Sequence, residues 1–448
     1  MQGVSGNSHS NNVAIGNQSM LGVTTSSENV AIGSSSLQSA TTGNKNIAIG
    51  YQTLRYNVTG AHNIALGHEA LEGSSGNSYS HNTAIGVATL KGITTGGQNV
   101  AVGNYAGDAL TTGTSNVVVG YNAFSSADGS ENNNVVIGFN AGSSINSNST
   151  QANVLIGSFC GEGGTGYITR TVAIGDDTLN NTNSRNVGYG TFVGSEAGGG
   201  TWAGGGDYNT AIGYQAFKGA VNGADNNTAI GATALNVVTT GSDNVAVGTG
   251  AGLSVTTGYD NSLLGKFAGK GLTTGDGNTL VGDGAGNNIT QGRRNTVIGK
   301  GATTSADGAL DQIVIGWGAT GVGDTSAMIG GSQVTDVYMG DNGSSWSTTS
   351  DGRLKENIKE WTTGLDAINK LRIVEYNFKE DNPYNYNHEK KRQGIIAQEA
   401  IEAIPEMIKD DGEWLSANQE PMIWALVNAV QELTKKVNEL ETKLNKEN

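Results

Sequence analysis

Short apolar triplets alternate with longer polar stretches through the first three quarters of the chain. Each triplet usually follows an asparagine and precedes a glycine, as in "NNVAIG" at 11–16, "NIAIG" at 46–50 and "NTVIG" at 295–299. Nineteen such closing glycines run from Gly16 to Gly330, mostly seventeen to nineteen residues apart. A period this short fits two short strands and two turns, so each repeat is predicted to form one coil of a parallel β-solenoid or β-roll.

Both faces of the predicted strand Val13-Ala14-Ile15 are apolar. One face can line the interior of the coil, and the other then needs a covering neighbour, for which a second copy of the chain is the simplest choice. A small residue three positions after many of the glycines indicates a second strand; examples are Ala70, Ala106, Ala123, Ala141, Ala216, Ala251, Ala268 and Ala285. At about 4.8 Å per stacked strand, nineteen coils predict a shaft about 90 Å long.

Three further positions of the repeat lead to structural predictions. Asparagine lies four residues before the closing glycine in fifteen of the nineteen repeats, and stacking would superpose these amides into a hydrogen-bonded ladder; a sugar-binding or metal-binding row is the alternative. The recurring "TTG", as at 41–43, is expected to place its glycine at positive φ in a turn. Cys160, the single cysteine, falls in the small-residue position and is expected to be a buried thiol.

The composition changes abruptly near Ser350. Residues 1–349 contain 11 Lys and Arg, 21 Asp and Glu and 66 of the 70 glycines, whereas residues 350–448 contain 14 and 19 charged residues and all three prolines. This contrast predicts a repetitive β-roll shaft over 1–340, a linker over 341–349 and a second domain over 350–448. The expected fold class is therefore mainly β, with about nineteen short coils followed by a small α+β domain that ends in a long helix.

The net charge of −15 and the absence of a basic stripe argue against a nucleic-acid or anionic-membrane partner. No run of 18 apolar residues and no secretory signal is present, which predicts synthesis in a cytoplasm without membrane insertion. A single cysteine excludes an intrachain disulfide, so stability has to come from packing or assembly. The sequence indicates no cofactor and no metal site.

The region after Ser350 supplies the most specific motifs. "SDGRLKENIKEW" is followed by "GLDAINKLRIVEYNFK" (364–379), "GIIAQEAIEAIPEMI" (394–408) and a terminal helix predicted over 420–446. In this order they resemble the C-terminal intramolecular chaperone and auto-processing domain of bacteriophage tail spikes and tail fibres, which endosialidase tail spikes and myelin regulatory factors also carry. The upstream repeat is similar to the β-roll heads of trimeric bacterial adhesins and to tail-fibre shafts. The resemblance implies a homotrimer that folds with the help of this domain and is then cut from it.

Ser350 and Lys355 are the candidate catalytic pair. A serine hydroxyl becomes nucleophilic when a base takes its proton, and a lysine amine can do so where burial lowers its pKa. The two positions match the Ser-Lys dyad of the similar domain, and no histidine lies near them in the sequence, which disfavours a Ser-His-Asp triad. From spacing alone, Ser350 would be a helix N-cap and Lys355 a solvated charge; the resemblance favours self-cleavage.

Attack by the Ser350 hydroxyl on the preceding carbonyl passes through a five-membered ring, so the expected cleavage bond is Thr349-Ser350. Attack by a serine of a neighbouring subunit would instead cut Ser350-Asp351. Arg353 could stabilise negative charge or form a surface ion pair. Gln398 and Glu399 match the Gly-x-x-Ala-Gln-Glu signature of the similar domain and, with Asp351, are expected to support the dyad.

The terminal helix carries a heptad seam. Apolar residues alternate in steps of three and four; they are Ile423, Leu426, Val430, Leu433, Val437, Leu440 and Leu444. β-Branched residues at a with Leu at d favour dimers in isolated coiled coils, whereas the resemblance implies three strands. The repeated shaft and the resemblance together favour a trimer.

Two classes of function remain for the shaft. The first is a phage tail-fibre shaft that adheres to a host cell-surface glycan or protein receptor and joins other virion tail proteins; the second is a polysaccharide-degrading tail spike. Glycoside hydrolysis needs two opposed carboxylates in a groove, yet the acidic residues are scattered among turns, which favours adhesion. A bacterial trimeric adhesin is a third alternative. Candidate glycan contacts are aromatic residues where the period loosens or the shaft ends: Trp202, Trp317, Tyr338 and Trp346.

Overall fold

The computed structural model describes residues 10–164, 166–183, 185–331, 353, 356–381, 388–389, 391–410 and 415–447. The chain divides into two compact units, residues 1–334 and 335–448. The predicted linker over 341–349 lies outside the described residues.

Unit 1 is a parallel β-solenoid of nineteen coils, which confirms the predicted fold class. Each coil contributes a three-residue strand that pairs in register with the strands of its neighbours, as Val30 pairs with Val13 and Ile47. The strands of this sheet are β1 (Val13–Ile15), β2 (Val30–Ile32), β3 (Ile47–Ile49), β4 (Ile64–Leu66), β5 (Thr83–Ile85), β6 (Val100–Val102), β7 (Val117–Val119), β8 (Val135–Ile137), β9 (Val154–Ile156), β11 (Val172–Ile174), β13 (Thr191–Val193), β15 (Thr210–Ile212), β16 (Thr228–Ile230), β17 (Val245–Val247), β18 (Ser262–Leu264), β19 (Thr279–Val281), β20 (Thr296–Ile298), β21 (Ile313–Ile315) and β22 (Ala327–Ile329).

A second, smaller sheet forms in three neighbouring coils, whose repeats are 18 or 19 residues long. Its three parallel strands are β10 (Ile168–Thr169), β12 (Val187–Gly188) and β14 (Gly206–Asp207). These three coils are therefore joined by additional backbone pairing beside the main sheet.

The three residues of each strand divide between the two faces of the sheet. The central side chain, such as Ala48 or Leu263, points into the solenoid and is fully or almost fully buried, whereas the flanking side chains, such as Ile47 and Ile64, lie on the outer face and remain exposed. Successive side chains of a strand point to opposite faces. The Asn-x-Ala-Ile-Gly pattern thus builds an apolar interior and an apolar outer face at once.

The predicted second strand of each coil is wrong, because a tight turn occupies its place. The second and fourth residues after the closing glycine adopt left-handed backbone conformations, as Gln52 (φ 53°) and Leu54 (φ 51°) do after Gly50. This turn brings two consecutive side chains, such as Ala70 and Leu71, into the interior. A strand would direct one of them outward, because its side chains alternate between faces.

Glycine is required in two places for different reasons. The closing glycine Gly50 has a φ of 142°, and a Cβ there would overlap the carbonyl of Gly67 in the next coil. The glycine of "TTG" does not adopt the predicted positive φ; at Gly43 an added Cβ would instead overlap the carbonyl oxygen of Gly60. Close approach of stacked backbones therefore explains the "TTG" glycines.

Large and small side chains alternate to fill the interior. Where the strand contributes Ala65, the fourth residue after the closing glycine is Leu71, and where it contributes Leu263, that residue is Gly269. An added Cβ at Gly269 would lie 3.1 Å from Leu263 and 2.9 Å from Leu280 of the following coil. Side chains of neighbouring coils therefore share the interior space, so the side-chain sizes that fit in one coil depend partly on the residues of its neighbours.

The asparagines form the predicted amide ladder. Most of the buried side chains accept a hydrogen bond from the backbone N–H of the next asparagine, as Asn244 Oδ1 does from Asn261 N at 3.1 Å. Its Nδ2 group donates to Asn227 Oδ1 at 3.1 Å and to the Gly258 carbonyl at 2.8 Å. Because these amides are buried and bonded to one another, the ladder is structural, and the alternative of a sugar-binding or metal-binding row does not fit it.

Unit 2 mixes short helices and hairpins with one long helix. Its elements are α1 (Leu365–Lys370), β23 (Val374–Tyr376), β24 (Arg392–Gly394), α2 (Ala397–Ala400), a 3₁₀ turn (Pro405–Met407), β25 (Ile408–Asp410), β26 (Leu415–Ala417) and α3 (Glu420–Glu447). β23 pairs with β24 and β25 with β26, both antiparallel. A small core of Ala400, Ile404, Met407 and Ala425 holds α2, the 3₁₀ turn and α3 together.

Candidate processing site and interaction surfaces

The predicted dyad and its cleavage bond lie outside the described residues. This applies to Thr349, Ser350, Asp351 and Lys355, whose roles stay predictions. Arg353 is described and its side chain is exposed. Near the seam the structure therefore describes Arg353 and the chain from residue 356 onward, but not the dyad.

The signature residues Gln398 and Glu399 lie together on the short helix α2, and both are exposed. Glu399 forms a bidentate ion pair with Arg372, with Arg372 Nε to Glu399 Oε2 at 2.9 Å and Nη2 to Oε1 at 2.6 Å. These charge-assisted bonds hold the pKa of Glu399 below its usual range. The pair joins α2 to the segment between α1 and β23, a contact that the sequence pattern did not predict.

The long helix α3 also holds the segment that follows the seam. Asn428 donates through Nδ2 to the Trp361 carbonyl at 2.7 Å and to the Thr363 carbonyl at 3.0 Å. Glu432 accepts a 3.3 Å hydrogen bond from the backbone N–H of Leu365, at the start of α1. A carboxylate placed there satisfies a free helical N–H group. The chain between the seam and α1 is thereby fixed to α3.

The predicted heptad seam of α3 forms one exposed apolar stripe. Val430 is 61% exposed and Leu440 is 65% exposed. The other five seam residues are exposed as well. No helix in the described ranges is both long and apolar enough to cross a membrane. The stripe is therefore an apolar surface on an otherwise charged helix, of the kind that other helices cover.

The outer face of the solenoid sheet is a second exposed apolar surface. Its side chains flank the buried central residue of each strand along the whole sheet; the more exposed members include Val13, Ile15, Ile47, Ile64, Leu66, Val100, Ile212, Val245, Leu264 and Ile313. Contiguous exposed apolar patches of this extent mark interaction surfaces in soluble proteins. The sequence predicted this face from triplets that are apolar on both sides.

The four predicted glycan contacts have different outcomes. Trp202 is fully buried, packs against Phe192 and Phe217, and donates from Nε1 to the Gly198 carbonyl at 3.0 Å. A buried ring offers no surface to a glycan, so this prediction is wrong. Trp317 is exposed, and its role stays a prediction.

Tyr338 and Trp346 lie outside the described residues. Cys160 is buried as predicted, and burial raises its thiol pKa to about 12. Such a thiol is protonated and inert at neutral pH.

The sequence reasoning missed a row of four aromatic residues, of which Tyr105, Tyr121 and Phe139 are exposed and Phe159 is half-buried. Tyr105, Tyr121, Phe139 and Phe159 come from four consecutive coils and contact one another edge-to-face or stacked, at ring-centroid distances of 6.0, 5.7 and 5.3 Å. Each is the first or second residue after a closing glycine. Aligning the repeats on that glycine would have revealed the row, whereas a search for places where the period loosens did not.

Comparison with known proteins assigns the second unit. Residues 350–409 match the family model of the chaperone of endosialidase, peptidase S74. The chain is 31% identical over 100 residues to myelin regulatory factor homolog 1 of Caenorhabditis elegans, which covers 21% of this chain and 11% of that protein. It is 30% identical over 120 residues to the long tail fiber protein Gp37 of Enterobacteria phage M1, which covers 26% of this chain and 44% of that protein.

These matches confirm the resemblance that the motifs after Ser350 predicted. The C-terminal region carries an endosialidase-type chaperone domain, and the matched family begins at residue 350, where the composition changes. Upstream of this domain lies the β-solenoid, and the similarity to a phage long tail fibre protein extends over 26% of the chain and less than half of that protein.

Proposed function

We propose that the chain is the adhesive shaft of a phage tail fibre, assembled as a homotrimer under the guidance of its C-terminal domain and then released from that domain by self-cleavage. In this proposal it is a virion component that binds a host surface receptor and other tail proteins. The observation that carries the proposal is the pair of apolar surfaces left uncovered in a single chain, one on each unit.

The outer face of the solenoid supports assembly from identical chains. Its apolar residues recur in almost every coil, so a covering surface has to repeat with the same rise along the same length. A second and third copy of the solenoid meet that requirement. Hydrophobic burial along such a face would contribute about 25 cal/mol for each Å² removed from water.

The stripe on α3 supports parallel assembly of the second unit. With Ile423 and Val430 at a positions, Lys436 lies at g and Glu441 at e of the next heptad. In parallel helices in register, a g residue approaches the e residue five positions later on its neighbour, which pairs Lys436 with Glu441 of another copy. An antiparallel arrangement would bring like charges together, so the charge pattern favours parallel copies.

Self-cleavage follows from the proposed dyad. Lys355 removes the hydroxyl proton of Ser350 as Oγ attacks the carbonyl carbon of Thr349, forming a five-membered ring. Collapse of the ring breaks the Thr349–Ser350 C–N bond, transfers the acyl group to Oγ as an ester and leaves the protonated Ser350 amine. Water then hydrolyses the ester to the Thr349 carboxylate and regenerates the hydroxyl. Attack from another subunit would instead expose Asp351 as the new N-terminus.

Two variants test the dyad without removing the fold. Ser350→Ala removes the nucleophile at a cost of about 1 kcal/mol if the hydroxyl also caps a helix, and Lys355→Arg replaces the base by a group that stays protonated. On a denaturing gel we expect wild-type protein to separate into shaft and tail fragments, and both variants to run as one chain. Mass spectrometry of the tail should place its N-terminus at Ser350.

The matched controls are Ser416→Ala and Lys359→Ala, which change exposed residues of the same unit and should leave cleavage unchanged. Light scattering should give about three chains for every variant. Cleavage of Ser350→Ala at the seam, or an uncut wild type, would refute the processing step, and a stable monomer would refute the assembly.

A further inference from the structure

The aromatic row of Tyr105, Tyr121, Phe139 and Phe159 forms an exposed surface with an ordered internal geometry. The rings of Tyr121 and Phe139 are nearly parallel, at an interplanar angle of 13°. The rings of Tyr105 and Phe159 flank this pair and are turned by 85° and 79° to their neighbours. Tyr121 is 50% exposed and Phe139 48% exposed, so the central pair offers apolar surface to a ligand.

Short polar side chains are interleaved with the rings. In each of the four coils one of the two residues after the closing glycine is aromatic and the other is Asn or Ser; the pairs are Asn104 and Tyr105, Tyr121 and Asn122, Phe139 and Asn140, and Ser158 and Phe159. Asn122 donates from Nδ2 to Asn140 Oδ1 at 3.1 Å. That bond uses one donor of Asn122 and the acceptor of Asn140, and leaves the Asn122 oxygen and the Asn140 amide N–H groups to bond a ligand.

The aromatic row is not a continuation of the copy-to-copy face. The outer sheet face is apolar in almost every coil, whereas the position directly after the closing glycine is charged in other coils, as in Asp176, Lys266, Asp283 and Lys300. The side chains of Lys300 and Asp283 are 70% and 50% exposed. A position that is solvated elsewhere along the solenoid faces solvent in the row as well, so a local ligand explains four aromatic residues better than a subunit contact.

We propose that this row is a binding site for an uncharged glycan chain, whose C–H faces pack on the rings and whose hydroxyls bond the asparagine amides. The eight residues of the four pairs carry no charge, which favours a neutral glycan over an anionic one. They form a strip four coils long and only two residues wide per coil. A protein partner commonly buries about 20–30 residues on each side, so a single extended glycan fits the strip better.

This site rests on the proposed adhesive function and names the class of receptor it would take. Tyr and Phe bring large rigid contact areas at low cost in side-chain entropy, and the amides supply directional hydrogen bonds. The repeating coils present rings and amides at regular intervals, as a repeating polysaccharide requires. A glycan bound along the strip would contact several coils at once.

The test uses the full chain and an array of purified neutral O-antigen and capsular polysaccharides from bacteria. We expect binding to at least one polysaccharide, and titration of that polysaccharide should show the affinity of the Tyr121→Ala/Phe139→Ala double variant reduced by about tenfold or more. Asn140→Ala should reduce it by a smaller factor. Tyr214→Ala is the matched control, because Tyr214 is equally exposed directly after a closing glycine but outside the row.

Three results would overturn the site. They are no binding to any polysaccharide of the array, an affinity that the double variant leaves unchanged, and loss of the trimer in the double variant, which would make the row a subunit contact. Cell binding that is destroyed by protease treatment of the bacteria but resists periodate would assign the row to a protein receptor and refute the glycan. Subunit number and cleavage are measured separately, so the site can fail while the proposed assembly and processing stand.

Discussion

The two units of this chain are stabilised in opposite ways. The solenoid has a continuous interior in which every coil is packed between two nearly identical ones, and its amide ladder links buried asparagines from coil to coil. Unit 2 has a small core around Ile404 and Met407, and its longest element, α3, exposes most of its apolar residues. One unit is therefore rich in repeated contacts, and the other is rich in contacts that occur once.

This difference explains why one chain contains both units. Repeated contacts stabilise a long stack but specify its alignment with another copy poorly, because a shift by one coil superposes nearly the same residues. Contacts that occur once, such as those of Asn428 with Trp361 and of Glu432 with the start of α1, have one arrangement only. In our proposal unit 2 sets the alignment of the copies, and cleavage afterwards leaves the assembled shaft kinetically trapped.

Removing most of unit 2, from residue 350 onward, should have the largest effect. Without residues 350–448, we expect the shaft to accumulate as aggregate, because its outer apolar face is exposed before copies are aligned. The measurement is the soluble fraction after expression, followed by light scattering of any soluble protein. Soluble trimers of the correct size from this truncated chain would show that unit 2 does not guide folding.

Breaking the amide ladder should have an intermediate effect that stays within the solenoid. Asn244→Ala leaves the Asn261 N–H and the Gly258 carbonyl without their partners in the interior, and unpaired buried groups cost about 1–3 kcal/mol each. We expect the hydrogen-exchange protection of the coils around residue 244 to fall by about two orders of magnitude. Peptides from α3 should keep their exchange rates.

Thr249→Ala provides the control, because Thr249 is exposed and lies only five residues after Asn244, just beyond the closing glycine Gly248. It should leave exchange in both units unchanged. If Asn244→Ala had no more effect than this control, the ladder would contribute little to coil stacking.

The smallest expected effect concerns two carboxylates, one in each unit, whose pKa values are shifted in opposite directions. Burial raises the pKa of Glu131, which is fully buried and accepts a 3.0 Å hydrogen bond from the Gly129 N–H, whereas Arg372 lowers that of exposed Glu399. The contribution of Glu131 to the free energy of unfolding is fully present at pH values below its unfolded-state pKa. It is lost as the pH rises through the higher folded-state pKa. Glu131→Gln should therefore melt at a higher temperature than wild type at about pH 8, with the difference shrinking toward about pH 4.

Glu28→Gln is the matched control, since Glu28 is an exposed carboxylate of the solenoid. Its melting temperature should follow that of wild type at both pH values. An equal difference between Glu131→Gln and wild type at both pH values would mean that ionisation of Glu131 does not affect stability.

Much of the fold could be predicted because the repeat places chemically similar residues at equal intervals. The closing glycines gave the number of coils, the asparagines gave the ladder, and the triplets gave the two apolar faces. The second strand was predicted wrongly because residues such as Ala70 and Leu71 have no periodicity that separates a turn from a strand. Their common burial depends on left-handed backbone at the turn, which stacking on the neighbouring coil holds in place.

The sequence by itself determined the repeating architecture and the relationship of the C-terminal region, because local periodicity and specific motifs are properties of the chain order. Only the tertiary structure decided which aromatic residues are accessible. Trp202 looked like a surface residue in a glycine-rich stretch, yet it fills the interior beside Phe192 and Phe217. Tyr105, Tyr121, Phe139 and Phe159 are separated by 16 to 20 residues in the chain and become neighbours because each coil returns the backbone to the same side of the solenoid.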